Sequence, residues 1–224
     1  MQMNTNFLKK HADFFLIIAF FAIPPIFSSS QNIGQKIEQI SDQHAFSPAA
    51  PVSTFLLQSA LSLYILIKMK FGKKDFKSFF FLSSFSILCL LLLNATVWNF
   101  IAGFFSSSSQ NEIKKILPEG FWTICYICLS LFVSALYEEL LYRKFIPDET
   151  ISFVLQDKSL HYRIISEILI ILIFALGHRY LGVWAVLNAF TAGCILRFFC
   201  IRTGSFISGF IAHLIYNLIV FFAF

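Results

Sequence analysis

Seven apolar stretches dominate this sequence and restrict the folds available to it. A helix needs about 20 consecutive apolar residues to cross the hydrocarbon core of a bilayer. Only 13% of the residues are charged, against about 25% in soluble globular domains. We therefore expect an all-α fold, a polytopic transmembrane helix bundle with about seven spans. The stretches lie near residues 13–27, 51–67, 79–105, 121–142, 163–178, 181–201 and 205–224.

The first stretch resembles a secretory signal peptide in having two lysines, Lys9 and Lys10, before its apolar run. A signal peptide also needs a small-x-small cleavage site after that run. Pro24, Pro25 and the serines that follow do not provide one in the usual place. We therefore expect an uncleaved first helix.

The basic residues fall mostly on one side of the predicted membrane. Cytoplasmic loops carry the excess of Lys and Arg, and a cytoplasmic N-terminus places thirteen of the seventeen there. The net charge of +5 then reflects orientation and contact with membrane lipid. Nucleic acid is not expected as a partner, because the basic residues do not form one stripe with stacking aromatics. The cytoplasmic set is Lys9, Lys10, Lys68, Lys70, Lys73, Lys74, Lys77, Arg143, Lys144, Lys158, Arg163, Arg197 and Arg202, and the remaining four are Lys36, Lys114, Lys115 and Arg179.

The candidate catalytic residues all lie in the second half of the chain, so we divide the chain into two regions. Residues 1–120 contain three predicted spans without motif chemistry, and we interpret them as N-terminal transmembrane scaffold helices. Residues 121–224 contain every candidate chemical residue and are interpreted as a four-helix catalytic core. The short loops and phenylalanine-rich helices are typical of an integral protein of a prokaryotic inner membrane.

Two adjacent carboxylates, Glu138 and Glu139, lie at the end of the fourth stretch. Ionisable side chains at membrane depth are costly and indicate a functional site. Neighbouring residues on a helix point about 100° apart, so the two carboxylates serve different partners. Glu139 and Arg143 have the i,i+4 spacing of an ion pair. Glu138 is left to act as a general base, which a poorly hydrated cavity would strengthen.

Two histidines occupy the later spans, each with a companion one helical turn away. His178 follows Phe174 by four residues, and His213 precedes Asn217 by four. His213 and Asn217 can donate hydrogen bonds to a developing oxyanion, and His178 can share a water molecule with Glu138. Together these groups suffice for the hydrolysis of an amide.

The three clusters resemble, in order, the EExxxR, FxxxH and HxxxN motifs of the CPBP (ABI) family of intramembrane proteases, which includes the type II CAAX prenyl endopeptidases. The resemblance covers roughly residues 121–220 and extends to the segment from Asn188 to Ser205. It implies an endopeptidase that cleaves a membrane-associated, CAAX-like or small peptide substrate. In that likeness Glu138 activates water with help from His178, His213 and Asn217 form the oxyanion site, and Glu139 with Arg143 supports them.

Two alternatives stay open at this point. The first concerns a cofactor, because Glu138, His178 and His213 could supply the three protein ligands of an open zinc site. A mechanism without a cofactor is favoured, since the chain has no HExxH motif and Asn217 is a poor zinc ligand. The second is a non-catalytic membrane scaffold or bacteriocin-immunity protein of the same fold, since a fold does not by itself imply turnover.

The depths of the motifs predict where the site opens. If the fourth helix ends near Pro147 and the fifth begins near Arg163, Glu138 and His178 differ in depth by roughly 9 Å. Tilted helices, or a helical segment over residues 151–156, would remove this mismatch. We expect a site in the cytoplasmic half of the bilayer that opens toward the cytoplasm. Glu167 is expected to be an exposed carboxylate, and Arg197 a residue that snorkels to the interface.

Overall fold

Helices account for nearly all of the described chain. The computed structural model describes residues 5–27, 52–69, 81–105, 120–154 and 160–223, and no strand occurs in these ranges. Each of the seven apolar stretches coincides with an α-helix, which confirms the expected all-α fold. The helices are α1 (Thr5–Ile17), α2 (Val52–Lys68), α3 (Phe81–Phe105), α4 (Phe121–Glu138), α5 (Leu160–Leu176), α6 (Val183–Thr203) and α7 (Ile207–Ala223).

The helices suit a membrane environment. Within the described ranges, three segments are long and apolar enough to cross a bilayer, namely Leu82–Phe105, Phe121–Ser152 and Val183–Thr203. Large apolar side chains on the outside of the bundle are exposed, as Leu82 (74%) and Trp122 (82%) illustrate. Such a surface fits contact with lipid. Among the basic residues assigned to a side above, Lys36, Lys70, Lys73, Lys74, Lys77, Lys114, Lys115 and Lys158 lie outside the described residues.

The expected end of the fourth helix near Pro147 is wrong, because the helix runs on without a break to Val154. After α4 the chain forms a π-helical segment, Glu139–Phe145, then an α-helical turn, Ile146–Glu149, and a second π-helical segment, Thr150–Val154. We call residues 139–154 the α4 extension. Leu140, Leu141 and Phe145 in it have no solvent exposure, so the extension is the centre of the main core.

A proline is tolerated inside this helix because another residue replaces its missing donor. Pro147 has no N–H, so the carbonyl of Arg143, four residues earlier, loses the partner an α-helix would give it. Arg197 of α6 donates to that carbonyl from Nη1 at 2.7 Å, and the Cys200 thiol lies 3.6 Å from it. Arg197 is buried and pairs with Glu167 of α5 through two hydrogen bonds of 2.6 and 2.5 Å. The expectation that Arg197 snorkels to the interface is therefore wrong.

The two ends of the bundle differ in character. One end, which we call the basic end, joins the end of α2, the α4 extension, the start of α5 and the end of α6. There Lys68 pairs with Asp13 of α1 and lies 3.5 Å from Glu149 of the α4 extension. The opposite end is held by aromatic contacts. Phe55 lies 5.9 Å from Tyr126 between ring centroids, and Phe105 stacks on Trp184 at 5.4 Å.

Candidate active site

Glu138 and Glu139 separate at the junction between α4 and its π-helical continuation. The side chain of Glu139 has no exposure, whereas that of Glu138 is 18% exposed. Glu139 Oε1 lies 3.8 Å from Arg143 Nε, and the Arg143 side chain is only 1% exposed. One carboxylate is thus enclosed beside a cation, and its neighbour keeps access to the interior space of the bundle.

His213 lies between the two carboxylates. Its Nδ1 is 3.0 Å from Glu139 Oε1, and its Nε2 is 3.8 Å from Glu138 Oε2. A carboxylate oxygen accepts, so Nδ1 carries the hydrogen in the shorter contact and the ring is fixed in orientation. Helix α7 approaches closely because Gly209 has no side chain: a Cβ there would lie 3.2 Å from Glu139 Oε2. The sequence motifs of α4 and α7 therefore meet in one buried cluster.

Phe174 connects the second motif, FxxxH, to this cluster. Its ring lies under the Arg143 guanidinium, whose carbon is 4.0 Å from the ring centroid, a cation–π arrangement. The same ring contacts the His178 imidazole edge to face, with 4.9 Å between centroids. His178 Nδ1 lies 3.1 Å from the Phe174 carbonyl oxygen. A carbonyl can only accept, so this bond places the hydrogen on Nδ1 and leaves the Nε2 lone pair of His178 available.

A cavity of about 500 Å³ lies beside Glu138 and His178. Ser134, one helical turn before Glu138, donates a hydrogen bond of 3.2 Å to Glu138 Oε1. Glu138 Oε2 is buried and accepts no hydrogen bond from the described residues. The scaffold helices also reach the cavity, through Pro25, Thr54 and Gln58. The other lining residues are Ile127, Ser130, Leu131, Tyr137, Tyr142, Phe174, Gly177, Tyr180 and Phe221.

Not every predicted residue reaches this cavity. Asn217 lies one turn after His213 in α7 and is partly buried, but neither residue belongs to the described lining of the cavity. In the part of the chain that the structure describes, no group of three or more His, Cys, Asp or Glu side chains is placed to hold a metal ion. The zinc site considered from the sequence stays a prediction.

Three residues that support the site were not assigned to it from the sequence. Ser134 precedes Glu138 by four residues, a spacing that could have indicated its hydrogen bond. Gly209 precedes His213 by four residues, so it shares the face of α7 that meets Glu139. The only sequence signal for Arg197 was Pro147. A proline within a helix leaves a backbone carbonyl without its N–H donor, so another residue must supply one.

The fold and the cluster together define a class, a polytopic helical membrane protein with a buried carboxylate–histidine site. Residues 120–219 match the family model described as Type II CAAX prenyl endopeptidase Rce1-like. This match confirms the resemblance seen in the three motifs, and the family supports a CAAX-type intramembrane protease kind of function. No curated protein and no solved structure gave a significant match.

Proposed function

We propose that this protein is an intramembrane endopeptidase in which Glu138 activates the attacking water. The observation that supports it is the buried Oε2 of Glu138, which accepts no hydrogen bond from the described residues and lies beside a cavity that His178 also lines. A water molecule there could give its proton to Glu138 while hydrogen-bonding to His178 Nε2. The family description suggests a CAAX-like, membrane-associated peptide as substrate.

The enclosed groups have separate tasks in this mechanism. Glu139 and Arg143 fix the His213 ring, whose Nε2 points toward Glu138. The charged form of His213 would bring the four-residue set of Glu138, Glu139, Arg143 and His213 to zero net charge. In that form Nε2–H can donate to the oxyanion of the tetrahedral intermediate, and Asn217 is the second donor proposed. The proton held by Glu138 then passes to the leaving amine.

The test compares protein N- and C-termini in membranes of cells that express the wild type or Glu138→Gln. Removing a general base costs about 10²–10⁴-fold in rate, so termini produced by this enzyme should disappear in the variant. Asp148→Asn is the matched control, because Asp148 lies in the same helix, pairs with Lys144 at 3.0 Å and is outside the cavity lining. Membranes of cells that express Asp148→Asn should contain the same protein termini as those of the wild type.

Two results would change the proposal. If no terminus depends on Glu138, the protein is a non-catalytic scaffold or immunity protein of this fold. Chelator treatment of matched samples separates the catalytic types. Glu138-dependent termini that persist after chelation support the glutamate mechanism, and termini lost on chelation require a metal.

A further inference from the structure

The cavity extends from Glu138 toward the end of the bundle that lacks the basic cluster. Thr54 lies in the first turn of α2, Phe221 near the end of α7, and Tyr180 just after α5. All three positions belong to the opposite end, where Phe105 stacks on Trp184. The site was expected to open toward the cytoplasm, where most of the basic residues were placed, and this lining instead reaches the end of the bundle away from the basic cluster.

The basic side of the site is filled by side chains. Immediately beyond Glu138, Leu140, Leu141 and Phe145 of the α4 extension have no exposure, and Arg143 has 1%. These residues pack against buried residues of α1, α2 and α5 in the main core. A substrate arriving from the basic end would have to displace this core, whereas the cavity already provides space on the other side.

The distribution of charge orients the bundle in the membrane. Lys68, Lys144, Arg163 and Arg202 lie at the basic end, and Arg179 is the exception among the described basic residues. Since Lys and Arg are retained on the cytoplasmic side, the basic end is cytoplasmic and the cavity faces the other way. We propose that the site receives its substrate from the extracytoplasmic face of the membrane, as an uncharged peptide segment. This proposal rests on the function proposed above.

The lining of the cavity specifies the chemistry of that segment. Thr54, Gln58, Ser130 and Ser134 contribute hydroxyl and carboxamide groups, and no Lys or Arg occurs in the described lining. Ser130 is 6% exposed, and its hydroxyl has no hydrogen-bond partner among the described residues. Buried hydroxyls are normally satisfied, so this one is available to a peptide N–H or carbonyl. A charged substrate side chain would be desolvated there without a counter-ion other than Glu138.

Sidedness can be measured without assuming any catalysis. The five cysteines are replaced by alanine, and single cysteines are introduced as Thr54→Cys, Arg179→Cys and Arg202→Cys. Intact cells are treated with a small membrane-impermeant thiosulfonate, and permeabilised cells serve as the comparison. We expect Thr54→Cys and Arg179→Cys to react in intact cells, and Arg202→Cys to react only after permeabilisation.

Two labelling results would overturn the proposal. Reaction of Arg202→Cys in intact cells, with Thr54→Cys reacting only after permeabilisation, would invert the orientation. Reaction of Arg179→Cys in intact cells without any reaction of Thr54→Cys would show that the cavity is closed to that face. Both conclusions hold whether or not the protein is a peptidase.

The substrate side is tested with two membrane-anchored reporters that differ only in which face carries a short uncharged segment. Cleavage that requires Glu138 is expected when the segment is extracytoplasmic, and cleavage of only the cytoplasmic reporter would overturn the proposal. Exchanging serines of the segment for aspartates should abolish cleavage, because the described lining has no Lys or Arg to pair with them, and equal cleavage of the aspartate-bearing segment would contradict the inferred chemistry. If extracytoplasmic labelling is found but no terminus depends on Glu138, the proposed function fails and the sidedness of the cavity still holds.

Discussion

Replacing Arg197 by methionine tests the account of how a proline is accommodated in the α4 extension. The substitution removes the donor to the Arg143 carbonyl, at 2.7 Å, and both hydrogen bonds to Glu167. Methionine keeps much of the length and flexibility of the side chain. The variant should therefore lose polar contacts with little change in packing volume.

The expected cost follows from the burial of each partner. A buried carbonyl left without a donor costs about 1–3 kcal/mol, and in this variant the Arg143 carbonyl keeps only the weak Cys200 thiol donor at 3.6 Å. Breaking a fully buried ion pair costs about 3–5 kcal/mol, but the Glu167 side chain is 21% exposed, so its carboxylate keeps part of its hydration. We expect Arg197→Met to lower the free energy of unfolding by about 2–4 kcal/mol.

Denaturant titration of the purified protein in detergent, followed by tryptophan fluorescence, measures this change. Arg202→Met is the matched control, since Arg202 is exposed on the same helix and should change stability by less than about 0.5 kcal/mol. Pro147→Ala restores an N–H to the α4 extension, so it should offset part of the loss in the double variant. If Arg197→Met is no more destabilising than Arg202→Met, or if the double variant shows no coupling, the explanation is wrong.

Two further predictions concern close helix contacts at glycines. A Cβ at Gly193 would lie 3.0 Å from a methyl of Ile171 and 3.2 Å from the Phe174 ring, so Gly193→Ala should destabilise by about 1–3 kcal/mol. Gly103→Ala, with nothing within 4 Å, should stabilise by up to about 1 kcal/mol in the same unfolding assay. Gly209→Ala should shift the Glu139 carboxylate and lower peptidase activity in vitro, at unchanged helix content by circular dichroism. Wild-type activity of this variant would contradict the role given to Glu139.

Sequence patterns predicted the cluster well because its geometry is mostly local. The i,i+4 spacing of Glu139 and Arg143 led to their contact, and the order of the motifs brought His213 to both carboxylates. The consequence of Pro147 was missed, because the residue that satisfies the freed carbonyl lies fifty-four positions away. Long-range partners of this kind follow from how α6 packs on the α4 extension, which no local spacing encodes.

The direction of the cavity was mispredicted for a related reason. Depth along a helix shows which residues lie at one level, but it does not show which end of the bundle is filled by side chains. The depth of Glu138 led to the expected opening toward the cytoplasm, whereas the buried α4 extension fills the basic end of the bundle. The depth of Glu138 in the membrane therefore does not show from which face of the membrane a substrate reaches it.

The length of the cavity sets a requirement on any substrate. Ile127 and Glu138 both line it and are eleven residues apart on one helix, which corresponds to about 16 Å at 1.5 Å per residue. An extended chain advances about 3.3 Å per residue, so about five residues must separate the scissile bond from any folded part of the substrate. Reporters with progressively shorter extracytoplasmic spacers should lose Glu138-dependent cleavage below that length. Efficient cleavage with a one-residue spacer would mean that the substrate enters by another route.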